Sequence, residues 1–237
     1  MNTSSYISFT HKEIRVVPSY GTFMSNLDAC RSSLQALSCR PEKMLKIILG
    51  GPPQSGKSCL RYGLKEAFKR RQTDVYPYVI TACPDGEGSW FQETVSSDTN
   101  LAMELKENYK RSFTHEFVEL WAESVKNCTT ELTLVDIGGI PSDQNRVICE
   151  HATHAILVAG DVDELSEWRL FCSELEITVI AEIHSDYYAV ADTTLTLSSD
   201  GVYRGSVHHL ERGDNSVADR PTIKQLAGVL ERMVKES

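Results

Sequence analysis

A glycine-rich segment contains the residues whose types and spacing point most directly to chemistry. Residues 50–58 read Gly-Gly-Pro-Pro-Gln-Ser-Gly-Lys-Ser, which fits the phosphate-binding pattern G-x-x-x-x-G-K-[ST] from Gly51 to Ser58. Glycines let such a loop curl until backbone N–H groups face phosphate oxygens. Lys57 would supply a positive charge to the β- and γ-phosphates, and a serine hydroxyl is a ligand that Mg²⁺ prefers. The predicted nucleotide-binding residues are Gly51, Pro52, Pro53, Gln54, Ser55, Gly56, Lys57, Ser58, Cys59 and, from a second segment, Gly139.

The residues around this segment predict the structural context that the motif requires. Residues 44–49 are Met-Leu-Lys-Ile-Ile-Leu, a composition typical of a β-strand. From residue 58 to residue 71, Leu60, Leu64 and Phe68 recur at helical spacing. A helix that begins near Lys57 would direct the positive end of its dipole at a bound anion.

A second candidate segment lies at the end of another apolar run, residues 131–136. Its last residue is Asp136, and a carboxylate at a buried strand end is the expected partner of Mg²⁺ in a phosphate-loop protein. Asp136 also begins the pattern D-x-x-G, so the Gly139 amide would approach a γ-phosphate. Ser58 and Asp136 are therefore the predicted metal-binding residues, and Lys57 and Asp136 are predicted to be catalytic.

The loop at residues 83–90, Cys-Pro-Asp-Gly-Glu-Gly-Ser-Trp, is the third candidate. It follows a predicted strand at residues 75–82, and ligands of open α/β sheets bind at the carboxyl ends of strands. Asp85 and Glu87 are therefore predicted to complete the catalytic set by contacting an acceptor, an attacking water or Mg²⁺-bound water. The alternative is a solvated turn without a role in chemistry.

The rest of the chain alternates between predicted helices and strands. That alternation predicts an α/β fold of the P-loop NTPase type, with a mostly parallel central sheet and helices on both faces. Residues 43–237 are predicted to form this nucleotide-binding domain, and residues 1–42 an N-terminal extension that is too short for a sizeable core of its own. The main predicted elements after the third candidate are helices at 98–110, 113–128 and 142–150, strands at 154–159 and 177–181, and a final helix opened by Asp219 and Pro221.

Composition excludes several classes of protein. The net charge of −9 disfavours a general electrostatic grip on nucleic acid. No apolar run approaches the roughly 18 residues of a membrane span, and the first residues do not resemble a signal peptide. The seven cysteines are scattered without a C-x-x-C pair, which favours a reducing cytoplasm and disfavours a zinc site.

Two missing motifs narrow the choice among phosphate-loop proteins. Ile137, and not a glutamate, follows Asp136, whereas ring-forming ATPases usually place a water-polarising glutamate there. The motif N-K-x-D is absent after the late strand, where residues 182–186 read Glu-Ile-His-Ser-Asp. A guanine-specific switch GTPase is therefore disfavoured, and ATP or another nucleoside triphosphate with Mg²⁺ is the expected ligand.

Three segments, residues 50–58, 83–90 and 135–139, resemble the P-loop NTPase domain that is fused to a CRISPR-associated ring nuclease. The resemblance covers roughly residues 43–235. That family is customarily labelled an AAA-type ATPase, but the residue after Asp136 departs from that class. Residues 1–42 do not resemble the ring nuclease, so cleavage of cyclic oligoadenylate is not carried over. The resemblance implies nucleotide binding in an antiviral setting with a CRISPR-associated protein partner.

Two functional hypotheses remain open at this point. The first is an enzyme that hydrolyses ATP or transfers its γ-phosphoryl group to a nucleotide or RNA acceptor, with lid arginines such as Arg111 or Arg146. The second is a regulatory module whose bound nucleotide controls partner assembly with little turnover. The sequence does not choose between them, nor does it decide the base preference or whether the protein forms an oligomer.

Overall fold

A computed structural model of the chain describes residues 44–83 and 114–237. The predicted extension at residues 1–42 and the predicted helix at residues 98–110 lie outside the described residues. The strands are β1 (Leu45–Gly50), β2 (Tyr78–Ala82), β3 (Leu132–Ile137), β4 (His154–Ala159), β5 (Thr178–Asp186), β6 (Thr196–Leu197) and β7 (Tyr203–His208). The helices are α1 (Lys57–Arg71), α2 (His115–Asn127), α3 (Asp143–Cys149), α4 (Ser166–Glu174) and α5 (Pro221–Glu236), with 3₁₀ segments at Val162–Leu165 and Asn215–Asp219.

The seven strands form one sheet in the order β2-β3-β1-β4-β5-β7-β6. Every neighbouring pair is parallel except β6 with β7, which is antiparallel. β1 lies between β3 and β4, so the loop that leaves β1 is beside the carboxyl ends of both. The predicted α/β fold with a mostly parallel sheet is confirmed.

Helices cover both faces of this sheet. β1, β3 and β4 are buried along their whole length, as expected for parallel strands covered on both sides. Side chains alternate along β1, so Ile47 and Leu49 pack on the side of α1 and α5, while Ile48 packs on the side of α2, α3 and α4. The two resulting cores fix the sheet and thereby the ends of its strands.

The predicted helix at residues 113–128 is α2, and Thr114 caps it by accepting the Phe117 N–H at 3.3 Å. Helical spacing in the sequence predicts a buried face of Phe117, Leu120, Trp121 and Val125. That prediction is wrong at Leu120, which is 61% exposed, whereas Val118 and Val125 are buried. Those two valines are seven residues apart, or about two helical turns, so they lie on the same side.

Two further boundaries differ from expectation. β2 begins at Tyr78, one residue after Pro77, because proline cannot donate to a strand ladder. Asp219 belongs to the 3₁₀ segment, and Arg220 is the N-cap residue of α5. No helix in the two described ranges combines the length and the apolar character that crossing a membrane requires.

Candidate functional site

The loop between β1 and α1 is shaped by two glycines in the left-handed region. Gly51 has φ 142°, and a Cβ atom there would lie 1.9 Å from the Val158 carbonyl oxygen. Gly56 has φ 91°, and a Cβ atom there would lie 2.8 Å from Leu210 Cδ1. Neither position accommodates a side chain without movement of its neighbours, so the spacing of the two glycines is set by this turn.

Lys57 is the first residue of α1, and its side chain folds back across the loop. Its Nζ donates to the carbonyl oxygens of Gly51 at 2.8 Å and of Pro52 at 2.7 Å. The residue is 9% exposed. The ammonium group is therefore held inside the curve of the loop, beside the amino-terminal end of α1, where the helix dipole also favours an anion.

Ser55 contributes a hydroxyl group inside the same loop. The residue is 5% exposed, and its Oγ has no hydrogen-bond partner in the described part of the chain. A buried hydroxyl without a partner costs free energy unless a ligand or water completes it. A cavity of about 340 Å³ opens here, lined by residues 54–59 together with Leu210 and Arg212.

Asp136 lies beside this loop because β3 pairs directly with β1, with Leu49 opposite Asp136 in the register. Ser58 Oγ donates to Asp136 Oδ2 at 3.0 Å, and Asp136 is 1% exposed. Two adjacent oxygens of this kind suit Mg²⁺, which takes one or two protein ligands and completes its shell with phosphates and water. The described residues contain no group of three His, Cys, Asp or Glu that would hold a metal without such help.

Arg61 is a member of this cluster that the sequence analysis missed. Its Nη1 lies 3.3 Å from Asp136 Oδ2 and donates to Thr81 Oγ1 at 2.9 Å. The residue is 1% exposed. A signal was present in the sequence, because Arg61 stands four residues after Lys57 and three before Leu64, on the inward face of α1.

Gly139 packs against the phosphate loop from the other side. A Cβ atom at Gly139 would lie 2.6 Å from the Pro53 backbone nitrogen. Asn145 holds this turn, since its Nδ2 donates to the carbonyl oxygens of Gly138 at 3.2 Å and Ile140 at 2.7 Å. The D-x-x-G segment and the phosphate loop are therefore in direct contact.

The structure brings together all predicted site residues that it describes. Cys59, also predicted, is buried at the start of α1 and lines the cavity. Asp85, Glu87 and Arg111 lie outside the described residues, so their roles stay predictions. Arg146 forms an ion pair with Glu174 on α4, and its guanidinium carbon lies 5.3 Å from the Phe171 ring centroid.

The fold is similar to that of a plasmid partition protein from Borrelia burgdorferi B31 bound to AMPPNP. The TM-score is 0.50 at 12% identity, covering 81% of this chain and 100% of that chain. This chain has a P-loop NTPase fold. Similarity at this identity concerns the fold alone, and no protein-family model and no curated protein matches the sequence. The resemblance to the CRISPR-associated family therefore stays a prediction.

Two other solved structures are similar at lower TM-scores. The kinase domain of Escherichia coli tyrosine kinase ETK has a TM-score of 0.37 at 16% identity, covering 73% of this chain and 81% of that chain. A nucleotide-binding protein from Archaeoglobus fulgidus in complex with ADP has a TM-score of 0.41 at 11% identity, covering 81% of this chain and 90% of that chain.

Proposed function

We propose that this protein binds ATP, or another nucleoside triphosphate, together with Mg²⁺, and that it hydrolyses the nucleotide or transfers its γ-phosphoryl group. One observation carries the proposal. Lys57, Ser58 and Asp136 converge at the carboxyl ends of two neighbouring strands, with Lys57 Nζ folded into the loop and Ser58 Oγ 3.0 Å from Asp136 Oδ2. This is the arrangement that phosphate binding with a metal requires.

Each residue has a distinct task in this proposal. Lys57 Nζ exchanges its carbonyl partners for oxygens of the β- and γ-phosphates, and the Ser55 hydroxyl gains the acceptor that it lacks. Ser58 Oγ and Asp136 would hold Mg²⁺. A metal held there would supply positive charge to the phosphate oxygens during transfer. Gly139, in contact with Pro53, presents its N–H to the γ-phosphate.

The attacking water or acceptor is assigned to Asp85 and Glu87, on the sequence argument that their loop follows β2. A general base there would contribute about 10²–10⁴-fold to the rate. A nucleotide or a short RNA is the acceptor class in this proposal. Leu210 and Arg212 extend the cavity beyond the loop, which favours the nucleoside lying across them.

A regulatory module with little turnover is the second candidate, and one observation favours it. The residue after Asp136 is Ile137, which is fully buried in the core and offers no group that could polarise a water. In this version the bound nucleotide controls partner assembly or the protein's own oligomeric state. The resemblance of residues 50–58, 83–90 and 135–139 supports a cytoplasmic, CRISPR-associated antiviral setting with a CRISPR-associated protein as partner.

Incubation with γ-labelled ATP, Mg²⁺ and a panel of nucleosides, nucleotides and short RNAs separates these versions. Released phosphate supports hydrolysis, a labelled acceptor supports transfer, and stoichiometric binding without turnover supports the regulatory module. Lys57→Ala should abolish all three signals. Lys69→Ala, on the exposed face of the same helix, is the matched control and should behave like the parent. If the parent neither binds nor turns over any triphosphate, the proposed function is wrong.

A further inference from the structure

Arg61 forms an ion pair with Asp136, the carboxylate that the proposed function assigns to the metal. Its Nη1 lies 3.3 Å from Asp136 Oδ2, the same oxygen that accepts the Ser58 hydroxyl at 3.0 Å. The side chains of Arg61 and Asp136 are 1% and 2% exposed. The pair is therefore shielded from water, and its charges act on each other with little screening.

The position of Arg61 is fixed by three elements. α1 supplies the arginine, and β2 and β3 supply its partners, because Thr81 stands opposite Asp136 in the parallel register. Nη1 reaches both of these side chains, at 2.9 Å from Thr81 Oγ1 and 3.3 Å from Asp136 Oδ2. The guanidinium therefore contacts Thr81 and Asp136, which are neighbours on adjacent strands, and Asp136 is the predicted metal ligand.

One nitrogen of the guanidinium has no hydrogen-bond partner among the described residues. That nitrogen is Arg61 Nη2, and it is buried. A buried charged group with unmade hydrogen bonds is costly, and such a group in a native structure calls for an explanation. An arginine kept only to support the fold would gain from complete bonding, whereas one that shares its carboxylate with a ligand must keep the ability to move.

We propose that Arg61 is a positioning residue that occupies Asp136 in the nucleotide-free protein and so restricts the metal site to cations that arrive with a triphosphate. Without nucleotide, the Arg61 guanidinium balances the negative charge of Asp136. It therefore repels a divalent cation that approaches the carboxylate. The phosphates of a bound nucleotide supply the negative charge that lets both cations stay. The inference rests on the proposed function, and it concerns how that site is regulated.

The proposal is tested by Mn²⁺ titration of the parent protein and of Asp136→Asn. The electron paramagnetic resonance signal of free Mn²⁺ measures how much of the ion is bound. In the nucleotide-free protein, Asp136→Asn should change Mn²⁺ affinity by less than about twofold, because Arg61 already neutralises the carboxylate. With AMPPNP bound, the same substitution should weaken Mn²⁺ binding by at least about tenfold. A strong effect of Asp136→Asn without nucleotide overturns the proposal.

Variants of Arg61 give the second test. Arg61→Gln removes the charge and should strengthen Mn²⁺ binding to the nucleotide-free protein by at least about tenfold. Arg61→Lys keeps the charge and should bind as weakly as the parent. Arg70→Gln is the matched control, since Arg70 is an exposed arginine of the same helix paired with Asp219. A folded Arg61→Gln variant with unchanged Mn²⁺ affinity overturns the proposal; if that variant does not fold, the Asp136→Asn comparison decides.

Nucleotide binding in the presence of a chelator separates this inference from the function beneath it. If AMPPNP does not bind with or without metal, the proposed function fails. If AMPPNP binds while Asp136→Asn strongly weakens Mn²⁺ binding without nucleotide, or while Arg61→Gln leaves that binding unchanged, only the proposed role of Arg61 is wrong.

Discussion

Two regions of the molecule bury charged groups, and they differ in how completely those groups are bonded. Where β5, β7 and α5 meet, the Asp192 side chain is 1% exposed. Its carboxylate accepts the backbone N–H groups of His208 and Thr222, each at 3.0 Å, as well as the His208 imidazole. Nearby, Glu182 is 7% exposed and accepts from both Arg169 and Arg204.

The phosphate-loop region presents the opposite condition. Ser55 Oγ and Arg61 Nη2 are buried there without partners in the described residues. Three other buried atoms of the described residues share that condition: Arg220 Nε at the margin of the first region, Trp121 Nε1 on α2 and Asn145 Oδ1 on α3. The comparison shows that completely bonded charges can be assigned to the fold, because nothing remains for a ligand to satisfy. Incompletely bonded groups around a curled glycine loop point to a ligand instead.

The largest expected effect on stability comes from removing the Asp192 carboxylate. Asp192→Ala leaves two buried N–H groups and an imidazole without their acceptor, so the free energy of unfolding should fall by about 3 kcal/mol. For a protein of this size, that corresponds to a melting temperature about 6–12 °C lower. Nucleotide affinity of the remaining folded protein should be unchanged. Asp163→Ala, an exposed aspartate, should change neither quantity by a comparable amount.

The same carboxylate gives a pH dependence with a definite sign. Burial alone would raise the pKa of Asp192, but the N–H groups of His208 and Thr222 and the imidazole of His208 lower it below its ordinary value of 3.8. A lowered pKa in the folded state contributes stability above pH 3.8, and that contribution is lost as the pH falls through the folded pKa. The stability difference between the parent and Asp192→Asn should therefore shrink below pH 3.8. Urea unfolding along a series of acidic buffers measures it, and a difference that grows on acidification contradicts the assignment.

Asp136→Asn should give the next effect, and it should act on function more than on the fold. The amide keeps the shape of the side chain but loses the negative charge that attracts Mg²⁺. Metal-dependent turnover should fall at least about tenfold, which is about 1.4 kcal/mol, while nucleotide still binds without metal. Asp143→Asn, at a fully exposed aspartate, is the control. Turnover within about threefold of the parent, a loss below about 1 kcal/mol, would show that Asp136 is not the metal carboxylate.

A pair of hydroxyl deletions gives the smallest effect and the sharpest contrast. Thr222 Oγ1 is buried 2.9 Å and 2.8 Å from the carbonyl oxygens of Thr193 and Ser206, so Thr222→Val should lower the unfolding free energy by about 1 kcal/mol. Ser55→Ala removes a hydroxyl that has no partner in the described residues, so stability without ligand should be nearly unchanged. Nucleotide affinity should instead fall about fivefold, the equivalent of a hydrogen bond near 1 kcal/mol. The reverse pattern would invalidate the distinction between the two regions.

Local patterns in the sequence are enough to predict the strand, glycine loop and helix that form the candidate site. The glycine spacing from Gly51 to Gly56 is set by the turn itself, and the apolar run before Asp136 identifies a buried strand. Alternation of strands and helices also predicted a parallel sheet, since consecutive parallel strands need a crossover helix. These features depend on residues that are close together in the chain.

Contacts made by distant residues could not be predicted in the same way. Arg61 contacts Asp136 only because β2, β3 and β1 are neighbours in that order. The order of strands in a sheet cannot be predicted from any single segment of the sequence. Asp192 reaches His208 and Thr222 across 16 and 30 residues of chain. The exposed position of Leu120 on α2 likewise depends on which side of the helix meets the sheet.

Thermal unfolding of the parent and Lys57→Ala with and without ATP and Mg²⁺ tests the central claim most directly. At about 100 times its dissociation constant, ATP should stabilise the parent by about 2.7 kcal/mol, or roughly 5–11 °C in melting temperature. Lys57→Ala should lose most of that shift, while the exposed-site control Lys69→Ala keeps it. A parent melting temperature that does not move at millimolar ATP or GTP, or a Lys57→Ala variant that is stabilised as much as the parent, would contradict nucleotide binding at this loop.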